Sequence, residues 1–224
     1  MKPAYYFIFL CLLLQFSCSK KEQTAELPPA SEANYKVTLQ LNWANPSFTI
    51  PVNAHLTNFI GMVHSKDSFL WAPNGLATTG LEFVAEVGSN WRLLNELDAI
   101  IGKGKALSKF DINTPSITGA FDSVFHFTLE HSCLSFTSMI APSPDWFAGL
   151  NAYNLLQQNQ WVNTITIPIF IYDAGTEDGD VFGYDNPATT PQQPVRLLTA
   201  AAASVLANGN ATLAPIGTLK FVKL

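Results

Sequence analysis

The residues Met139–Asp180, MIAPSPDWFAGLNAYNLLQQNQWVNTITIPIFIYDAGTEDGD, hold two turns and the strand that leads into the second. In the first turn, Pro142-Ser143-Pro144-Asp145-Trp146, two prolines fix φ and push their predecessors into extended backbone. Asp145 therefore leaves the chain in a restricted direction, and Trp146-Phe147 can pin the turn to a core. Ile165, Ile167, Ile169 and Ile171 then recur at every second position, which predicts a β-strand with one apolar face. That strand delivers Asp173 to its end. In the second turn, Asp173-Ala174-Gly175-Thr176-Glu177-Asp178-Gly179-Asp180, Gly175 and Gly179 permit positive φ, while Asp173 and Glu177 offer hard oxygen ligands. On residue types alone this acidic run fits two descriptions, a solvated turn or a cation-binding loop. Asp145 follows a second strand candidate, so it meets Asp173 at one rim only if those strands pair.

Outward from this stretch, short strands predominate. Tyr35, Val37, Leu39, Leu41 and Trp43 alternate with polar residues, the period of a half-buried first strand that Asn45-Pro46 ends. Val124–Leu129, with Phe125, Phe127 and Leu129 on one side, and Leu134–Ile140 are two further candidates, and Thr218–Leu224 reads as a closing strand. Val195–Thr199 fits a strand, while Ala200–Gly209 fits either a short helix or a loop. Leu81, Val84 and Ala85 recur at helical spacing before a stop at Gly88. Ser89 is the expected cap of a second helix that turns Leu93, Leu94, Leu97, Ile100 and Ile101 inward. The expected fold class is all-β, an antiparallel β-sandwich with one or two short helices in its connections.

The run PSPDWFAGLN, followed by Trp161 and then DAGTEDG, resembles the spondin domain of the animal matrix proteins mindin and F-spondin. The resemblance extends from about Tyr35 to the C-terminus and takes in HLTNFIGMVHSKDSFLWAPNGLATTGL and HSCLSF. It implies a β-sandwich and a calcium ion held by Asp145, Asp173 and Glu177. Glu177 stands where the family has the shorter Asp, which keeps the charge and lengthens the arm by one methylene. Animal members carry cysteines that this chain lacks, and Leu156 stands where one is expected.

The chain has 224 residues, 48% of them hydrophobic and 13% charged, enough for one sizeable core. Its net charge of -5 and the absence of any basic stripe argue against a nucleic-acid partner. Residues 1–17 read as a signal peptide: Lys2, a short apolar run from Tyr5 to Leu14, then Gln15-Phe16-Ser17 ahead of Cys18. Cys18 followed by Ser19-Lys20-Lys21-Glu22 is similar to a bacterial lipoprotein signal, which makes Cys18 the expected lipidation site. An ordinary secretory signal with an incidental cysteine is the alternative. Residues 18–34 have the composition of a flexible tether, and the spondin-like domain is expected over 35–224. With Cys11 in the leader and Cys18 acylated, Cys133 has no disulfide partner and is expected to be a small buried hydrophobe.

Other chemistries find little support. His55 and His64 lie outside any HExxH pattern and are expected to be structural. His126, Glu130 and His131 miss the HxxEH spacing by one residue, Ser135 lacks a GxSxG elbow, and Gly102-Lys103-Gly104-Lys105 lacks the GK[ST] ending of a phosphate loop. The expected protein is a calcium-binding, non-enzymatic interaction or adhesion module, lipid-anchored to a membrane, that meets a protein or glycan on a surface. Its expected place is the bacterial cell envelope, as an outer-membrane lipoprotein facing the periplasm or the cell surface. The alternatives are a calcium-dependent hydrolase acting on surface glycans, with the same three acids as catalytic carboxylates, and a structural subunit of a larger surface complex.

Overall fold

The computed structural model describes residues 28–42, 50–113, 117–198 and 214–224. In chain order these form β1 (Glu32–Asn42), β2 (His55–Leu56), β3 (Phe59–His64), α1 (Thr79–Val87), α2 (Trp91–Gly102), β4 (Ala106–Ile112) and β5 (Thr118–Thr128). Next come β6 (Cys133–Ala141), β7 (Trp146–Asn154), the small hairpin β8 (Leu156–Gln157) and β9 (Gln160–Trp161), then β10 (Thr164–Asp173), β11 (Arg196–Leu197) and β12 (Gly217–Lys223). The expected signal peptide with Cys18, most of the expected tether, Trp43, Asn45-Pro46 and Ala200–Gly209 lie outside the described residues. Among the described residues no helix is long and apolar enough to cross a membrane.

One antiparallel sheet runs in the order β4-β3-β6-β7-β10-β12-β1-β5, with β2 paired to β6 and β11 to β10. It folds back on itself as a sandwich. The edge strands β4 and β5 approach each other, and Phe110 meets Phe125 with ring centroids 4.8 Å apart. Inside the fold, Tyr35, Leu39, Phe127, Phe136, Trp146, Ile171 and Phe221 make the main core. Each such side chain stabilises the fold by about 1.5–3 kcal/mol through area removed from water. The alternating isoleucines behave as the period predicts: Ile169 and Ile171 are buried and Ile165 and Ile167 half-buried.

A second core lies on the outer face of the sheet, under α1 and α2. Ile60, Met62 and Phe147 point that way and meet Leu81, Val84, Leu93 and Leu97. Thr78 caps α1 by accepting from Leu81 N–H at 3.2 Å, and Gly88 ends it with φ +66°. The second helix starts at Trp91 with Asn90 at its N-cap position, one residue beyond the expected Ser89, and Asn90 makes no side-chain capping bond. Because helices cover the sheet on one side and the sandwich closes on the other, β3 and β6 are buried on both faces.

Several boundaries differ from the sequence expectation. β1 begins at Glu32, where Ala33 and Asn34, expected in the tether, pair with Phe127 and His126. β5 begins at Thr118 instead of Val124. Strands β3, β4 and β7 were not expected at all. His64, read as structural, is fully buried: its Nδ1 lies 2.8 Å from the Ser65 carbonyl and its Nε2 2.8 Å from Ser135 Oγ. A carbonyl only accepts, so Nδ1 carries the proton and Nε2 accepts from the Ser135 hydroxyl. Ser135 Oγ in turn accepts from Ala152 N–H at 2.7 Å, where Ala152 adopts φ +45° and the β6–β7 register shifts.

Candidate metal centre

Asp145 is placed by the hairpin between β6 and β7. Ser143 Oγ accepts from Trp146 N–H at 3.2 Å, which closes the proline turn and leaves Asp145 as the last residue before β7. β7 pairs with β10 so that Trp146 lies opposite Asp173, and Ala174 N–H donates to the Asp145 carbonyl at 3.1 Å. This register brings the two turns of the opening stretch to one rim. The loop after β10 then folds over Asp145. Thr176 N–H at 2.7 Å, Thr176 Oγ1 at 3.3 Å and Glu177 N–H at 3.2 Å all donate to Asp145 Oδ2.

The loop's course depends on its glycines in two different ways. Gly175 has φ +74°, and a Cβ there would run into the Gln193 backbone. Gly179 does not have the positive φ expected of it; it is needed because a Cβ would press on Pro144 and Asn186. The Asp173 carboxylate is bonded on both oxygens, with Oδ1 accepting from Gly175 N–H at 2.8 Å and Oδ2 from Arg196 Nη2 at 2.8 Å. Two other carboxylate oxygens are different. Asp145 Oδ1 and Glu177 Oε2 are buried and have no hydrogen-bond partner. Buried acceptors are seldom left so, because each costs about 1–3 kcal/mol.

The charges explain the electrostatics. Burial, and then the neighbouring Asp173, pushes the Asp145 carboxyl up to about 6, against the pull of its bonds from Thr176 and Glu177. Burial, followed by Glu86 and Asp145, pushes Glu177 up to about 7. Glu86, on α1, is itself raised by burial and by Glu82. Asp173 holds the Arg196 guanidinium above its ordinary range. Beside these groups opens a cleft of about 420 Å³, lined by Asp173, Glu177, Asp178, Asp180 and Arg196 among others.

The structure therefore brings Asp145, Asp173 and the Glu177 backbone together, with the Glu177 side chain half-buried alongside and Asp178 and Asp180 exposed. As they stand, no three His, Cys, Asp or Glu side chains among the described residues gather closely enough to hold a metal ion. The donor chemistry nevertheless fits a hard cation: carboxylate oxygens only, two of them unpartnered, with no thiol or imidazole in the cluster. Sequence reasoning missed Thr176, Glu86 and Arg196. Thr176 sits inside the quoted stretch, whereas Glu86 and Arg196 reach the rim only through the packing of α1 and the β10–β11 pairing.

The fold and its rim define an antiparallel β-sandwich, covered by a two-helix layer, with acidic loops at one end. The Spondin_N family model matches residues 33–209, and the chain belongs to that family. It is 32% identical to Spondin-2 of Rattus norvegicus over 206 residues, which is 86% of this chain and 62% of that protein. Identity to Spondin-2 of Homo sapiens is also 32%, over 209 residues, 86% of this chain and 62% of that protein. Spondin-1 of Gallus gallus is 32% identical over 177 residues, 75% of this chain and 22% of that protein. The chain thus spans less than two thirds of the length of these relatives.

Proposed function

We propose that the chain is a calcium-binding, non-enzymatic interaction or adhesion module, held at a bacterial envelope surface through lipid on Cys18. The observation that supports calcium most directly is the pair of buried, unpartnered oxygens, Asp145 Oδ1 and Glu177 Oε2, beside Asp173. A divalent ion there would offset carboxylates that now raise one another's affinity for protons. It would also tie the β6–β7 turn to the loop after β10, so binding would stabilise the fold by mass action and shape the surface around the cleft. Its partner, on this reading, is a protein or glycan displayed on a surface.

The second reading, a hydrolase of surface glycans, draws on the raised Glu177 carboxyl, since an acid catalyst must hold its proton near neutrality. Glycoside cleavage needs two carboxyls facing the sugar. Asp145 is fully buried and its Oδ2 is bonded by three protein donors, which favours the ion-binding role. A thermal melt in calcium and in chelator, paired with a glycan-hydrolysis screen, separates the two. The module predicts a calcium-dependent rise in melting temperature with no turnover. Turnover that Asp145→Asn abolishes without unfolding the chain overturns it.

A further inference from the structure

Of the three carboxylates at the rim, Asp173 is the one already neutralised by a protein cation. Arg196 donates to Asp173 Oδ2 from Nη2 at 2.8 Å and from Nε at 3.2 Å, a two-pronged grip on a single oxygen. The β10–β11 register places Arg196 directly opposite Asp173. Close by, the fully buried Asp145 keeps Oδ1 unpartnered, and so does Glu177 at Oε2. An ion seated on those two oxygens would meet a guanidinium holding the third ligand.

We propose that Arg196 is an internal competitor for the cation: it neutralises Asp173 while the rim is empty and gives up Oδ2 when a divalent ion binds. The inference rests on the calcium reading above. Its geometry is favourable to exchange. The Asp173 side chain is 6% exposed whereas that of Arg196 is 69% exposed, so the guanidinium can swing into the cleft while its backbone stays paired in the sheet. Two cations on one carboxylate repel, so Arg196 weakens calcium binding and at the same time spares the empty rim an uncompensated charge. Arg196 is thus a residue that sets affinity without touching the ion.

Calorimetric calcium titration of the wild type, Arg196→Gln and Arg196→Lys, with melts of each in chelator, tests this. Arg196→Gln is expected to bind calcium roughly three- to tenfold more tightly, as loss of one opposing ion pair with a buried carboxylate and an exposed guanidinium allows. Its melting temperature should fall in chelator, so that the gap between chelated and calcium-loaded forms widens. Arg196→Lys keeps the charge and is expected to bind between the other two. A merely structural arginine would lower both melting temperatures and leave affinity unchanged. Wild-type binding with equal or weaker binding by Arg196→Gln overturns this inference alone. If the wild type takes up no calcium, the calcium reading falls and this inference with it.

Discussion

Asp145 is fully buried, yet one of its oxygens accepts three hydrogen bonds and the other none. Asparagine at that position keeps a carbonyl for Thr176 and Glu177 while removing the charge. Asp145→Asn is therefore expected to fold and to lose the calcium-dependent rise in melting temperature; an undiminished rise would remove Asp145 from the ligand set. The same residue has a pH signature in the ion-free protein. Its folded value of about 6 lies above the ordinary 3.8, so it favours folding fully below 3.8, and that contribution is lost as pH rises through about 6. Glu177, raised to about 7 in part by Asp145, acts with the same sign, and buried His64, held below its ordinary value by desolvation, with the opposite one, so the comparison with Asp145→Asn removes His64 and reads Asp145 together with its share of the Glu177 shift. In chelator, raising the pH from 4 to 7 should cost the wild type about 2 kcal/mol more than the variant, read by urea unfolding. An equal pH dependence in the two would contradict the burial of an ionised carboxylate there.

At the scale of elements, the loop after β10 is held by Gly175, whose φ of +74° and contact with the Gln193 backbone leave no room for a side chain. Gly175→Ala is expected to cost about 2–4 kcal/mol in urea unfolding, from positive-φ strain and the clash together. A cost near zero would mean that the loop re-forms elsewhere. What could be read in advance follows from periodicity. β1 and β10 each expose one face, so Tyr35 to Leu41 and Ile165 to Ile171 show a clean alternation, and α1 shows a helical stripe between Thr78 and Gly88. β3 is buried on both sides, and its Phe59-Ile60-Gly61-Met62-Val63 lacks the polar beats by which a strand is recognised. β7 carries Trp146 and Ala148 to the inner core and Phe147 to the outer one, and so shows no period either. Gly179 illustrates a different gap, since the crowding by Pro144 and Asn186 is a tertiary fact that no turn pattern contains.

For the whole molecule, the sandwich does one thing for the rim: it fixes two turns, far apart in sequence, at adjacent strand ends. The proline turn and the acidic loop were legible as turns, and their meeting depended on the antiparallel pairing of β7 with β10. Arg196 and Glu86 were not legible, because their place at the rim comes from β11 and α1 closing around it. On the calcium proposal, an ion would brace a rim assembled from β6–β7, β10–β11 and a helix as a unit, so the proposal concerns the fold as much as the surface. The most direct measurement is anomalous scattering from a crystal of the domain over residues 35–224 grown in calcium. The account predicts one peak at roughly 2.3–2.6 Å from carboxylate oxygens of Asp145, Asp173 and Glu177, with Arg196 withdrawn from Asp173. A rim without a peak, with Asp145 Oδ1 and Glu177 Oε2 satisfied by water and the Arg196–Asp173 pair intact, would contradict it.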